Sequence, residues 1–129
     1  MKTRWDGDET VARFTPRPEH MALPGYVYGG LIASLIDCHA MGTAAAAALR
    51  ADGKHIGEAP SPRFVTAVLN VTFQKPTPLG PELEIRARVT ERSDRKAKIS
   101  ATLAAGGVVT ATAEVVAVRR PESMQATGA

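Results

Sequence analysis

Residues 31–50 read LIASLIDCHAMGTAAAAALR, and this stretch decides the fold. At 100° per residue, Leu31, Leu35, Cys38, Gly42 and Leu49 fall on one stripe, Ile32, Ile36 and His39 beside it, and Ala33, Ala44 and Ala48 around the back. A helix apolar nearly all the way round is surrounded by protein. Gly29-Gly30 punctuates the chain just before it, and Gly53 closes it. With one such helix in 129 residues, the cover has to come from a sheet.

The flanking sequence supplies the strands. Residues 1–9 are polar and read as frayed, and residues 10–15 read as a short strand stopped by Pro16 and Pro18. After a Gly/Pro/Ser-rich loop over 51–62, Val65, Ala67, Leu69, Val71 and Phe73 are predicted to share one face of a strand. Thr66, Asn70, Thr72 and Gln74 take the other. Leu83, Ile85, Ala87 and Val89 alternate with charged residues, and Ala97, Ile99, Ala101 and Leu103 repeat the pattern. Gly106-Gly107 signals a two-residue hairpin leading into a last strand with Val109, Ala111, Ala113, Val115 and Ala117 as its inner row. The expected architecture is α+β, a mostly antiparallel sheet wrapped around one long central helix. It forms a single domain over 1–129, with a core over about 10–119 and a disordered tail over 120–129.

Composition narrows the function classes. The chain has 44% hydrophobic and 22% charged residues, which suits a globular domain rather than a disordered or fibrous one, and its length excludes a multidomain enzyme. No run approaches the roughly eighteen apolar residues of a membrane span, and the start MKTRWDGDET has no signal-like apolar region. One cysteine makes neither an internal disulfide nor a thiolate metal site, so the expected location is cytoplasmic, away from membranes. The net charge of +3 is spread among interleaved acids and bases without stacking aromatics, which argues against nucleic acid. The exception, RSDRKAK at 92–98, reads as a solvated hairpin loop whose bases could meet a phosphorylated ligand.

Asp37 is the most informative position. It stands mid-helix beside Ala33, Ser34, Ala40 and Met41, with no cation on the same helix to pair with. A buried, unpartnered carboxylate costs several kcal/mol. Asp37 therefore opens onto a cleft, finds a distant donor, or faces outward on a helix covered by a second subunit. Gly29-Gly30 begins that helix, where free N–H groups and the helix dipole favour a developing oxyanion and glycine permits close approach. Cys38 and His39 point about 100° apart, so they read as core residues and not as a nucleophile and base. His39 and Asp37 diverge too widely for a dyad. His20, His39 and His55 lack ligand-like spacing, so no metal is expected. Thr66 and Asn70, on the polar strand face, gain interest only if that face meets another subunit.

PGYVYGGLIASLIDCHAMGTA, residues 24–44, resembles the signature of hot-dog-fold acyl-CoA thioesterases of the PaaI-like group: Pro-Gly, two residues, His-Gly-Gly, then a helix with an acid seven residues after the second Gly. The likeness continues through FVTAVLNVTFQKPTPLG at 64–80 and covers about 10–119. It implies a thioester hydrolase working at a dimer interface, as a homodimer or a dimer of dimers, with coenzyme A as part of the substrate and no further cofactor. It also implies that the Gly30 N–H polarises the thioester carbonyl while Asp37 activates water or attacks the carbonyl itself. Thr66 matches a water-positioning threonine, Asn70 a polar strand residue, and His20 a loop position near the substrate. Tyr28 stands where the family usually has His and is expected to support the Gly29-Gly30 turn. Lys75, Arg92, Arg95 and Lys96 are the strand-end bases expected to meet the coenzyme A phosphates. The alternative reading is a non-catalytic module that binds acyl-CoA or an acyl carrier.

Overall fold

The apolar stretch forms one uninterrupted helix, α1 (Gly29–Ala51), in the computed structural model, which describes residues 1–120. Its end is set by Gly53 at φ +74°, where Gly53 N–H reaches Arg50 O and Lys54 N–H reaches Leu49 O. Six strands surround it: β1 (Arg4–Asp6), β2 (Glu9–Phe14), β3 (Phe64–Phe73), β4 (Leu83–Arg92), β5 (Lys96–Ala105) and β6 (Val108–Arg119). They form one antiparallel sheet in the order β1-β2-β4-β5-β6-β3, which is the hot-dog arrangement. Gly106 and Gly107, both at positive φ, make the tight β5–β6 turn.

The sheet buries α1 through Ile36 and Leu35, packed on Leu83, Ile85, Ile99, Leu103 and Val115. Each such fully buried side chain contributes roughly 1.5–3 kcal/mol. Ala40 and Ala44 on the helix meet Ala87, Ala101, Ala111 and Ala113 on the strands, and these short side chains let the sheet close tightly. The expectation that no stretch reaches the length of a membrane span is corrected. An 18-residue window of α1 has mean hydropathy 1.4, long and apolar enough by composition to cross a bilayer, and half of it is buried inside the fold.

Three further expectations change. Residues 4–6 are not frayed but form β1, because the N-terminal segment is tied to distant groups. Thr3 Oγ1 lies 2.9 Å from His39 Nδ1, the Arg50 guanidinium stacks 3.4 Å from the Trp5 ring centroid, and Arg86 pairs with Asp6 and Glu9. Arg120 is anchored by its N–H to Arg63 O at 2.8 Å, while the rest of the predicted tail, 121–129, lies outside the described residues. Most consequentially, β3 carries a bulge: Thr66 pairs with Ala117 but Val68 with Val116, so Ala67 has no opposite number. The parity of the strand flips there, and Phe64, Thr66, Leu69, Val71 and Phe73 share the helix-facing side.

His39 is fully buried in a hydroxyl cage, with Thr3 on Nδ1 and Thr10 on Nε2 at 3.1 Å, and Thr10 in turn 2.7 Å from Thr43. Burial disfavours the imidazolium and holds its pKa below 6.5, outweighing the favourable Thr10 backbone. The folded state then binds fewer protons than the unfolded chain, so stability is flat above about pH 6.5 and falls as the pH drops below it. Urea midpoints measured between pH 7.5 and 5 are expected to show this acid loss in the wild type and a shallower one in His39→Gln. Parallel profiles would sink the assignment.

Candidate active site

Two features of α1 make the site. At its start, Leu31 and Ile32 both direct their N–H groups at Tyr28 O, at 3.2 and 3.4 Å. The Gly29 and Gly30 N–H groups have no acceptor among the described residues, and the first turn carries no acid. These are the free, positively polarised amides that an oxyanion needs. Both glycines are closely covered by aromatic rings: a Cβ on Gly29 would stand 3.3 Å from Phe73 Cζ, and one on Gly30 2.9 Å from Tyr28 Cε2, so a larger residue would displace these exposed rings.

The second feature is Asp37, half-buried on the helix stripe that also carries exposed Gly30, Ser34 and Cys38. Thr66 Oγ1 donates to Asp37 Oδ1 at 2.5 Å, and no cation pairs with the carboxylate among the described residues. The distant donor is therefore a hydroxyl from across the sheet, and it leaves the acid free of an ion pair. The bulge at Ala67 is what turns Thr66 toward Asp37. It also sends Asn70 to the opposite face beside Glu114, so the two residues do not share the polar face expected of them. Cys38 is exposed rather than in the core, since one stripe of the helix is left open by the sheet.

The remaining site residues divide. His20 Nδ1 accepts the Arg17 N–H at 3.0 Å, and His20 O accepts the Tyr28 N–H, so this loop fixes the residue that caps α1. The His20 ring lies 6.4 Å from the Tyr28 ring, centroid to centroid. Tyr28 caps through its backbone alone, with its ring edge against Gly30. Lys75 follows β3 at the amide end of the helix, whereas Arg92, Arg95 and Lys96 sit at the other end of the sheet, where Arg95 O accepts the Arg119 N–H. The length of β3, about 30 Å, separates the two groups. Sequence reading missed the role of Phe73, which roofs Gly29 while remaining 53% exposed; alternation marked its face but not its exposure.

Residues 24–112, from the loop before the glycines to mid-β6, match the thioesterase superfamily. The chain belongs to the thioesterase superfamily. A thioesterase superfamily protein from Shewanella loihica PV-4 is similar to it at 46% identity and a TM-score of 0.78, over 93% of this chain and 90% of that one. A putative thioesterase, phenylacetic acid degradation-related protein from Ralstonia eutropha JMP134 shares the fold at 22% identity and TM-score 0.69, over 91% and 83% of the two chains. So does smu.793 from Streptococcus mutans UA159 bound to acetyl-CoA, at 14% identity and TM-score 0.70, over 93% and 90%. No curated protein matches the chain. In this thioesterase-superfamily chain, the open amides and the acid both fall inside the matched stretch.

Proposed function

We propose that the chain hydrolyses an acyl-CoA thioester to the free acid and coenzyme A, as a homodimer whose two protomers complete each other's sites. The observation that carries this reading is the presence, on one helix, of two amides with no acceptor and a carboxylate bonded to a hydroxyl and to no cation, among the described residues. A thioester carbonyl held by the Gly30 N–H gains negative charge where the amides stabilise it. Asp37 takes a proton from water, the water oxygen bonds to the carbonyl carbon, and collapse breaks the C–S bond. The proton then passes to the departing thiolate. Asp37 can alternatively attack the carbonyl itself, breaking the C–S bond and releasing the coenzyme A thiolate, and water then cleaves the mixed anhydride to the free acid and the Asp37 carboxylate, its proton going to the thiolate.

The second protomer is needed for reach. Gly30 and Asp37 lie on one face but seven residues apart, about 10 Å of helix rise. The amides point away from Asp37, so a carbonyl held on them stands farther still. Attack requires about 3–3.5 Å. Sheet geometry offers the remedy. β3 is an edge strand, ten residues long, with Val68 50% and Leu69 38% exposed, the kind of edge that pairs with another chain. Full-length antiparallel pairing of two copies sets Phe64 opposite Phe73 and Thr66 opposite Val71. The Asp37–Thr66 pair of one protomer then comes beside Phe73 and Gly29 of the other, and the open helix stripe is covered.

Release of free thiol from a panel of acyl-CoAs, followed with a thiol reagent, tests the activity. Turnover of at least one acyl-CoA is expected. Calorimetric binding of intact acyl-CoA with no thiol appearing over hours would replace hydrolysis with a binding module.

A further inference from the structure

A hollow of about 560 Å³ lies at the C-terminal end of α1, where the helix meets the N-terminal segment. Its wall holds Arg4, Arg50, Lys54 and His55 and no carboxylate. In a chain that interleaves 16 Lys and Arg with 13 Asp and Glu, this segregation of one sign of charge needs a reason. The nearest acids line other hollows: Asp8 an adjacent one that shares Trp5, and Asp52 one that shares Lys54. None of the four basic groups makes an ion pair among the described residues. Arg50 is the fixed member. Its guanidinium lies 3.4 Å from the Trp5 ring centroid and its Nη1–H donates to Gly7 O at 3.1 Å, which leaves further donors on a group already held in place. The helix end does not need these charges as caps, because the Asp52, Gly53 and Lys54 N–H groups donate to the carbonyls of Ala48, Leu49 and Arg50. Half-buried Trp5 and exposed Ile56 give the hollow an apolar wall beside its bases.

We infer that this hollow binds a phosphate monoester carrying a flat, apolar body, at a site separate from the one that holds the thioester. A phosphate dianion answers a guanidinium fork and a neighbouring ammonium together, where a single carboxylate answers one of them. The volume lies in the ordinary range of small-molecule sites and far exceeds a bare phosphate, so the ligand has a body, and Trp5 and Ile56 offer that body its surface. Every lining group belongs to one chain. Arg50 follows Gly30 by about 30 Å of helix rise and Asp37 by about 20 Å, and β1 stands at the opposite end of the strand order from the exposed edge β3. Occupancy also reaches the N-terminal segment. Thr3 lines the hollow while its hydroxyl contacts His39 Nδ1, and Trp5 belongs to β1, so a bound ligand adds contacts to a strand of three residues at the edge of the sheet.

Calorimetry of phenyl phosphate and of adenosine monophosphate tests the site, each against its phosphate-free counterpart, phenol or adenosine, and against inorganic phosphate, with and without excess coenzyme A. At least one ester is expected to bind with a Kd below about 1 mM, at least tenfold more tightly than its counterpart and than inorganic phosphate, and equally well beside coenzyme A. The two esters distinguish a simple aryl body from a nucleoside. Arg4→Ala combined with Lys54→Ala breaks no side-chain hydrogen bond or ion pair among the described residues and is expected to weaken that binding at least tenfold. Hydrogen exchange gives the location: the amides of Trp5 and Asp6 are expected to slow when the ester binds, and slowing elsewhere with none in β1 would overturn the placement. Failure of both esters to bind, equal binding of inorganic phosphate or of the phosphate-free counterparts, or an unchanged affinity in the double variant would overturn the inference. Displacement of the ester by coenzyme A would put the hollow within the footprint of the substrate and overturn it too, leaving the thioesterase reading intact.

Discussion

Asp37→Asn is expected to lower kcat by about 10²- to 10⁴-fold while leaving the KM for acyl-CoA within a few-fold. The substitution keeps the size and shape of the side chain and its contact with Thr66, so the helix loses no packing. What disappears is the capacity to take a proton from water or to attack the carbonyl. Asp37 is half-buried, and among the described residues its carboxylate bonds the Thr66 hydroxyl and pairs with no cation, so its removal orphans no charge there. Steady-state thiol release together with unfolding midpoints separates lost chemistry from a lost fold. Unchanged kcat in a stably folded variant would remove Asp37 from the reaction and leave the amide site without a base.

Two inactive variants are expected to rescue one another. Gly30→Val places a Cβ where Tyr28 Cε2 stands 2.9 Å away, driving either the ring or the new side chain across the amides and closing them to a carbonyl. Asp37→Asn leaves the amides open and removes the base. If each site draws its amides from one protomer and its acid from the other, a purified mixed dimer holds one wholly intact site and one doubly damaged site. It should recover about half the wild-type rate, from two preparations that separately show almost none. If amides and acid of one chain act on one carbonyl, both sites of the mixed dimer are damaged and nothing returns. Different affinity tags on co-expressed chains make the dimer obtainable, and circular dichroism checks that Gly30→Val retains the helix.

The parts of this site were unequally legible in the sequence. The helix, its glycine opening and its lone acid stood out because an apolar 3.6-residue period, a Gly-Gly and an unpaired mid-helix carboxylate are all local signals. The side of the helix left open was not legible: periodicity puts Cys38 on the same apolar stripe as Leu35, and only the extent of the sheet buries one and leaves the other exposed. Thr66 was placed on the wrong face because a bulge changes parity without changing composition. β1 went unseen because Trp5 and Thr3 find their partners, Arg50 and His39, some forty residues away. The strand-end bases were recognised as residue types, but their separation into Lys75 at one end of β3 and Arg92, Arg95 and Lys96 at the other depends on strand order, which no local signal carries.

The irregularity at Ala67 ties two properties to a single backbone step. A one-residue deletion there would realign the whole ribbon, turning the threonine away from its acid and the seam residues away from their counterparts at the same moment. Natural variation in this protein is therefore channelled. On the proposed reading, the acyl preference can drift through side chains whereas the length of β3 cannot, because the Thr66–Asp37 contact and the pairing edge would both be measured along the same few peptide units.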